Sequence, residues 1–93
     1  MIRSFGDRET EKIFSEHRSR RFPAEIQERA LAKLRLIDAA PEVEDLRVPP
    51  SNRLHLLRGT LNGYHAIRIN DQWRIVFRWR DGGAEDVRIT DYH

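Results

Sequence analysis

Histidine, arginine and carboxylate side chains near the second half of this chain are the residues whose types could do chemistry. The segment Asp91-Tyr92-His93 joins a carboxylate, an aromatic ring and an imidazole. Those types suit proton transfer and the stacking of a splayed RNA base. Three such residues in a row can also be incidental, so their meaning depends on what stands beside them. His55 and Arg74 are the other candidates, and both are selected by the face of a strand on which they fall.

Along 73–79, Trp73, Ile75, Phe77 and Trp79 alternate with Arg74, Val76 and Arg78, and Arg80 continues the second set. Period two assigns the first set to a core and the second to a cationic face. In the preceding strand His65, Ile67 and Ile69 share one face, while Tyr64, Ala66 and Arg68 share the other. A three-residue turn at Asn70-Asp71-Gln72 aligns core with core and sets Arg68 opposite Arg74. Like charges in that position cost stability unless solvent or an anion compensates them. Two arginines splayed into water would satisfy the fold equally well. By the same alternation Leu54 and Leu56 point to the core, whereas Arg53, His55 and Leu57 point away. His55 therefore joins the arginines. In the final strand Val87 and Ile89 point inward, with Arg88, Thr90 and Tyr92 outward. His17 and His65 read as structural, and Tyr64 as a packing residue.

The elements that must position these residues follow from the rest of the pattern. Ile2 to Phe5 is a short strand candidate, and Asp7 is a helix N-cap for a segment running through Ile13 and Phe14 toward His17. Arg18 to Arg21 breaks the apolar pattern as a loop or a frayed, basic helix end. Pro23 suits the first turn of a second helix, where Ile26, Ala30, Leu34 and Ile37 form one apolar stripe that stops at Pro41. A short helical turn over 42–47 and the Pro49-Pro50 connector precede four strands at 53–58, 64–70, 73–80 and 85–92. Their short links imply an antiparallel meander.

Length and composition frame this as one soluble domain over 1–93. A chain of 93 residues, 39% hydrophobic and 34% charged, has one core's worth of apolar surface and too much of it for a disordered chain. The formal charge is +2, unevenly spread. Residues 1–52 carry ten basic and ten acidic side chains, residues 53–80 six arginines and Asp71 alone, and residues 81–93 one arginine and four acids. The strand segment is thus the footprint that attracts phosphate. No cysteine is present, which removes thiol catalysis, thiolate metal sites and disulfides. No apolar leader or membrane-length run is visible, so a cytoplasmic location without membrane contact is expected. Zinc, calcium, phosphate-loop and serine-elbow spacings are missing as well. No metal or cofactor is expected.

The ordered set Asn52-Arg53-Leu54-His55-Leu56-Leu57-Arg58-Gly59, Gly63-Tyr64-His65-Ala66-Ile67-Arg68-Ile69-Asn70, Asp71-Gln72-Trp73-Arg74-Ile75-Val76-Phe77 and Asp91-Tyr92-His93 resembles the HigB branch of the RelE/ParE toxins. Met1 to Phe5 and Leu36 to Ala40 fit it too. The resemblance implies an α+β, microbial-RNase-like fold, with two N-terminal helices packed on a curved, mainly antiparallel sheet. It implies a toxin of a type II toxin-antitoxin system that cleaves messenger RNA in the ribosomal A site without a metal. A helix-turn-helix antitoxin of the HigA type would neutralise it, and operator DNA would be reached only through that antitoxin. Carried over by position, the catalytic residues are His55, Arg74, Asp91, Tyr92 and His93, with Arg58 a phosphate contact beside the face residues Arg68 and Arg78. Some members have an acidic residue in place of His55. Two alternatives remain at this point: a ParE-like toxin that inhibits DNA gyrase, and a weakly active RNA- or ribosome-binding toxin.

Overall fold

The apolar stripe of the second helix is the centre of the molecule. In the computed structural model, which describes residues 1–91, α1 spans Arg8–Phe14 and α2 Ala24–Ala39. Strands β1 (His55–Leu56), β2 (Tyr64–Arg68), β3 (Trp73–Arg80) and β4 (Gly83–Asp91) pair antiparallel in the order β1-β2-β3-β4. Both helices pack on one face of this sheet. Ile26, Ala30, Leu34 and Ile37 are at most 4% exposed and meet Ile67, Ile69, Ile75, Phe77, Val87 and Ile89. Each large aliphatic side chain buried there contributes about 1.5–3 kcal/mol.

The helix boundaries have local causes. Asp7 accepts from the Thr10 backbone N–H at 2.7 Å and caps α1, which ends before Glu16 turns left-handed at φ 64°. Pro23 stands one residue earlier than the sequence suggests, as the cap preceding Ala24. The 42–47 turn is a 3-10 turn over Val43–Arg47, and a second covers Pro50–Asn52. The basic loop 18–21 is tied down by Gln27, whose amide donates to the carbonyls of Ser19 (2.7 Å) and Phe22 (2.8 Å).

The outer edge of β4 is covered twice, which answers the exposed-edge problem of an open sheet. Ile2 and Phe5 form isolated parallel bridges to Ala84 and Val87, in place of the strand expected at 2–5. Farther on, the buried Thr10 hydroxyl accepts from the Ile89 N–H at 2.9 Å, so α1 closes what the N-terminal segment cannot reach. A β-bulge between Val76 and Arg78 places Asp86 at φ 54°, with its N–H donating to Ser4 Oγ at 2.8 Å. Gly6 permits this approach, since a Cβ there would sit 2.6 Å from Asp86 Oδ1.

Several strand expectations need correction. The strand expected at 53–58 is only two residues long, because Arg53 is left-handed (φ 48°) and a 3-10 turn starts at Gly59. Leu56 lies on the helix-side face by register, opposite His65, yet is 56% exposed because the sheet edge overhangs the core there. The strand expected at 64–70 ends at Arg68, while that at 85–92 begins earlier, at Gly83.

Candidate nucleic-acid interface on the open sheet face

The face opposite the helices can be read as three rows running across the strands. Arg68 pairs with Arg74 and Arg74 with Thr90, so the like-charge opposition expected from the turn length is present. One row along, His55 pairs with Ala66, Ala66 with Val76 and Val76 with Arg88. In the third row Tyr64 pairs with Arg78, and the bulge brings Asp86 beside them. Residues directly opposite in an antiparallel ladder share a face. His55 therefore stands on the arginine side, as its alternation predicts. From strand spacing and rise, the Cα atoms of His55 and Arg74 are about 12 Å apart, two strands across and one row along.

The floor between these cations is apolar, a feature alternation alone assigns wrongly. Val76, counted with the arginines, is 1% exposed and packs with Leu57 and Ala66, joined by Leu61 and Tyr64. A second small core therefore sits on the open face, with arginines around it.

The exposed His55 ring is held by its own neighbour. Its Nδ1 lies 2.8 Å from the Arg53 carbonyl oxygen. A carbonyl only accepts, so Nδ1 carries the proton in that contact and Nε2 is the ring nitrogen left to face a ligand. The left-handed turn at Arg53 is what brings the carbonyl back to the ring. Arg68 forms an ion pair with the fully exposed Asp71, and Arg74 is half-buried. Asp91, opposite Trp73 at the end of β4, accepts from Gln72 Nε2 at 3.0 Å. Tyr92 and His93, expected in the site, lie outside the described residues. Arg58 is exposed and precedes the Gly59–Leu61 turn, off the paired ladder.

Three residues on this face escaped the sequence reading of function. Tyr64 donates its hydroxyl to Asp86 Oδ2 at 2.6 Å, and Arg88 pairs with the same oxygen at 2.8 Å. The guanidinium groups of Arg78 and Arg88 lie 4.9 and 5.9 Å from the Tyr64 ring centre. Arg88 was legible as outward-facing, but its acidic segment hid it in the charge count. Asp86 shares the parity of Arg88, but spacing alone does not reveal its contacts with Tyr64 and Arg88. His65, by contrast, faces the helices and stacks on Phe77 at 5.9 Å. Burial, the main cause, holds its imidazole below its usual pKa, so it belongs to the core as expected.

Among the described residues, no group of three or more His, Cys, Asp or Glu side chains could hold a metal ion, and no helix is long and apolar enough to cross a membrane. What the face offers is a pinned imidazole, several arginines and a carboxylate around an apolar floor.

This architecture recurs in solved structures of low identity. YafQ from E. coli covers 99% of this chain and 94% of its own, at 14% identity and a TM-score of 0.59. A conserved hypothetical protein of Helicobacter pylori covers 99% and 96%, at 15% identity and 0.59. These likenesses establish the fold class, two helices on a four-stranded antiparallel sheet. The particular lineage comes from sequence. Toxin HigB-1 of Vibrio cholerae is 40% identical over 93 residues, covering 99% of this chain and 98% of that protein. Endoribonuclease HigB of Proteus vulgaris is 32% identical over 93 residues, covering both chains fully. The family described as the RelE-like toxin of type II toxin-antitoxin system HigB matches residues 3–93, and the chain belongs to that HigB-like toxin family.

Proposed function

We propose that this toxin is a ribosome-dependent endoribonuclease that cuts translated messenger RNA in the A site by metal-independent transesterification. The observation that carries the reading is His55, with its Nδ1 proton committed to the Arg53 carbonyl, on the same sheet face as Arg74 and Arg68. The full-length similarity to a protein named an endoribonuclease supports the same chemistry.

RNA self-cleavage needs a base for the ribose 2′-OH, cations for the charge developing on the phosphate, and an acid for the 5′-oxygen. His55 Nε2 is oriented to take the 2′-OH proton as that oxygen forms its bond to phosphorus. Arg74, with Arg58, Arg68 and Arg78 along the strand, stabilises the pentacoordinate phosphate. The P–O5′ bond then breaks and O5′ takes a proton from the other imidazole, His93. Asp91 orients that imidazole and Tyr92 stacks on the displaced base. Proton roles of the two histidines can be exchanged without altering the balance. The products are a 2′,3′-cyclic phosphate and a 5′-OH.

As a toxin of a type II system the protein has a cognate antitoxin, here of the helix-turn-helix HigA type, through which operator DNA is reached. The site of action is the cytoplasm. The test is to induce the toxin in cells and map new RNA 5′ ends by a method that detects 5′-OH groups, beside a gyrase supercoiling assay. New 5′-OH ends in translated messages, lost with Arg74→Ala, support the reading. Intact messages with inhibited supercoiling would replace it with a gyrase-directed toxin.

A further inference from the structure

Where β2 ends, a cavity of about 230 Å³ opens between α2 and the proline-rich connector, lined by Arg29, Lys33, Ser51, Arg68 and Ile69. Arg29 and Lys33 are four residues apart on α2 and so share one helix face. No carboxylate lines the cavity. Arg29 Nη1 donates to the Ile69 carbonyl at 3.2 Å, which keeps its guanidinium at the rim. The half-buried Lys33 ammonium donates to the side-chain oxygen of Asn52, which is wholly buried. Asn52 Nδ2 is in turn engaged by the carbonyls of Leu46 (3.0 Å) and Val48 (3.4 Å).

Lys33 thus has a neutral partner where a counter-ion would be expected. Burial first, then the fields of Arg29 and Arg68, pull its ammonium below the usual lysine pKa. Asp71 pairs with Arg68 but is itself 100% exposed, so its relief of this cationic group is weakened by solvent. A convergence of three cations without an acid in the lining is costly unless an anion completes it.

We propose that this cavity binds one backbone phosphate of the RNA strand, at a nucleotide flanking the scissile bond. The proposal rests on the RNA-cutting reading above and specifies how the strand leaves the reaction centre. Arg68 connects the two places, since it lines the cavity and stands opposite Arg74 in the ladder. A phosphate fits better than an acidic protein segment for two reasons. The donors converge on one compact volume, and the cavity continues the cationic path of the open face.

The chain has two lysines, Lys12 and Lys33, so lysine-selective NMR of the full chain gives two side-chain signals. Lys12 is the internal control, paired with Glu9 at 3.1 Å on α1. The probe is a short 2′-O-methyl oligoribonucleotide, which lacks the attacking hydroxyl and stays intact, titrated at low salt. The Lys33 signal should move and its pKa rise toward the ordinary value, with Lys12 unmoved. Lys33→Gln, which keeps an N–H donor for Asn52, should weaken binding and reduce the slope of log K against log salt by about 0.7, the loss of one phosphate contact. Lys12→Gln should change neither.

Binding that perturbs His55 and leaves Lys33 still would overturn the proposal. So would no binding at low salt, or a Lys33 response larger for a poly-glutamate peptide than for RNA. Failure of the endoribonuclease reading has a different signature: cellular messages stay intact on induction while Lys33 still responds to the oligonucleotide.

Discussion

The two faces of one sheet solve opposite problems with neighbouring residues. On the helix side Ile67, Ile75, Phe77 and Ile89 are at most 5% exposed and bear against the α2 stripe. On the open side Arg68, Arg74, Arg78 and Arg88 are all half-buried, with Leu57, Ala66 and Val76 as a floor beneath them. Residues one position apart on a strand therefore contribute to different properties. The helix side stabilises the fold, and the open side gathers arginines, two of them ion-paired to Asp71 and Asp86, into a field that favours an anionic ligand.

That contrast is sharpened most by removing the chemistry from the open face. His55→Ala or Arg74→Ala should lower RNA cleavage by about 10²- to 10³-fold, the typical worth of a positioned proton-transfer or charge-stabilising group. The melting temperature should stay near that of the parent protein, and antitoxin binding should persist. Full toxicity in soluble variants would break the comparison at its root.

Next in size is the helix side. Leu34→Ala should cost about 2–5 kcal/mol in urea unfolding, because Leu34 is fully buried and the stripe around it collapses only in part. Thr10→Val should cost about 1–3 kcal/mol, since it keeps the shape but leaves the Ile89 N–H buried without its acceptor. Amide exchange at Ile89 would report the loss directly.

The smallest effect is a pH dependence carried by His65. Its folded pKa lies below the ordinary 6.5, chiefly through burial, so the unfolded chain binds the proton more readily. Stability should therefore be full above about pH 6.5 and fall as pH drops from there through the folded value. His65→Phe, which retains a ring to stack on Phe77, should flatten unfolding free energy across that interval. An unchanged slope would show that His65 does not carry this pH dependence.

Most of the fold was legible because its signals are short-range and periodic. Ile26, Ala30, Leu34 and Ile37 recur at helical spacing, and β3 alternates through Trp73, Ile75, Phe77 and Trp79. The three-residue turn followed from matching two such alternations, and it brought the Arg68–Arg74 opposition with it. Of the candidate site, His55, Arg74 and Tyr92 could be put on one face by this reasoning alone, whereas Asp91 and His93 came mainly from likeness to a family.

Tertiary structure decided what periodicity cannot express. Whether an outward residue is wet depends on what folds over it, so Val76 is buried under Leu57 and Leu61 while Leu56 overhangs the edge. A bulge brings Asp86 beside Tyr64 and Arg88 on the open face, and α1 closes the β4 edge through Thr10. The sequence by itself determined which side chains share a strand face, because the pleat has a fixed period. Only the assembled chain decided how Arg29 and Lys33 on α2 meet Arg68 on β2, because contacts between residues distant in sequence depend on how helix and sheet pack.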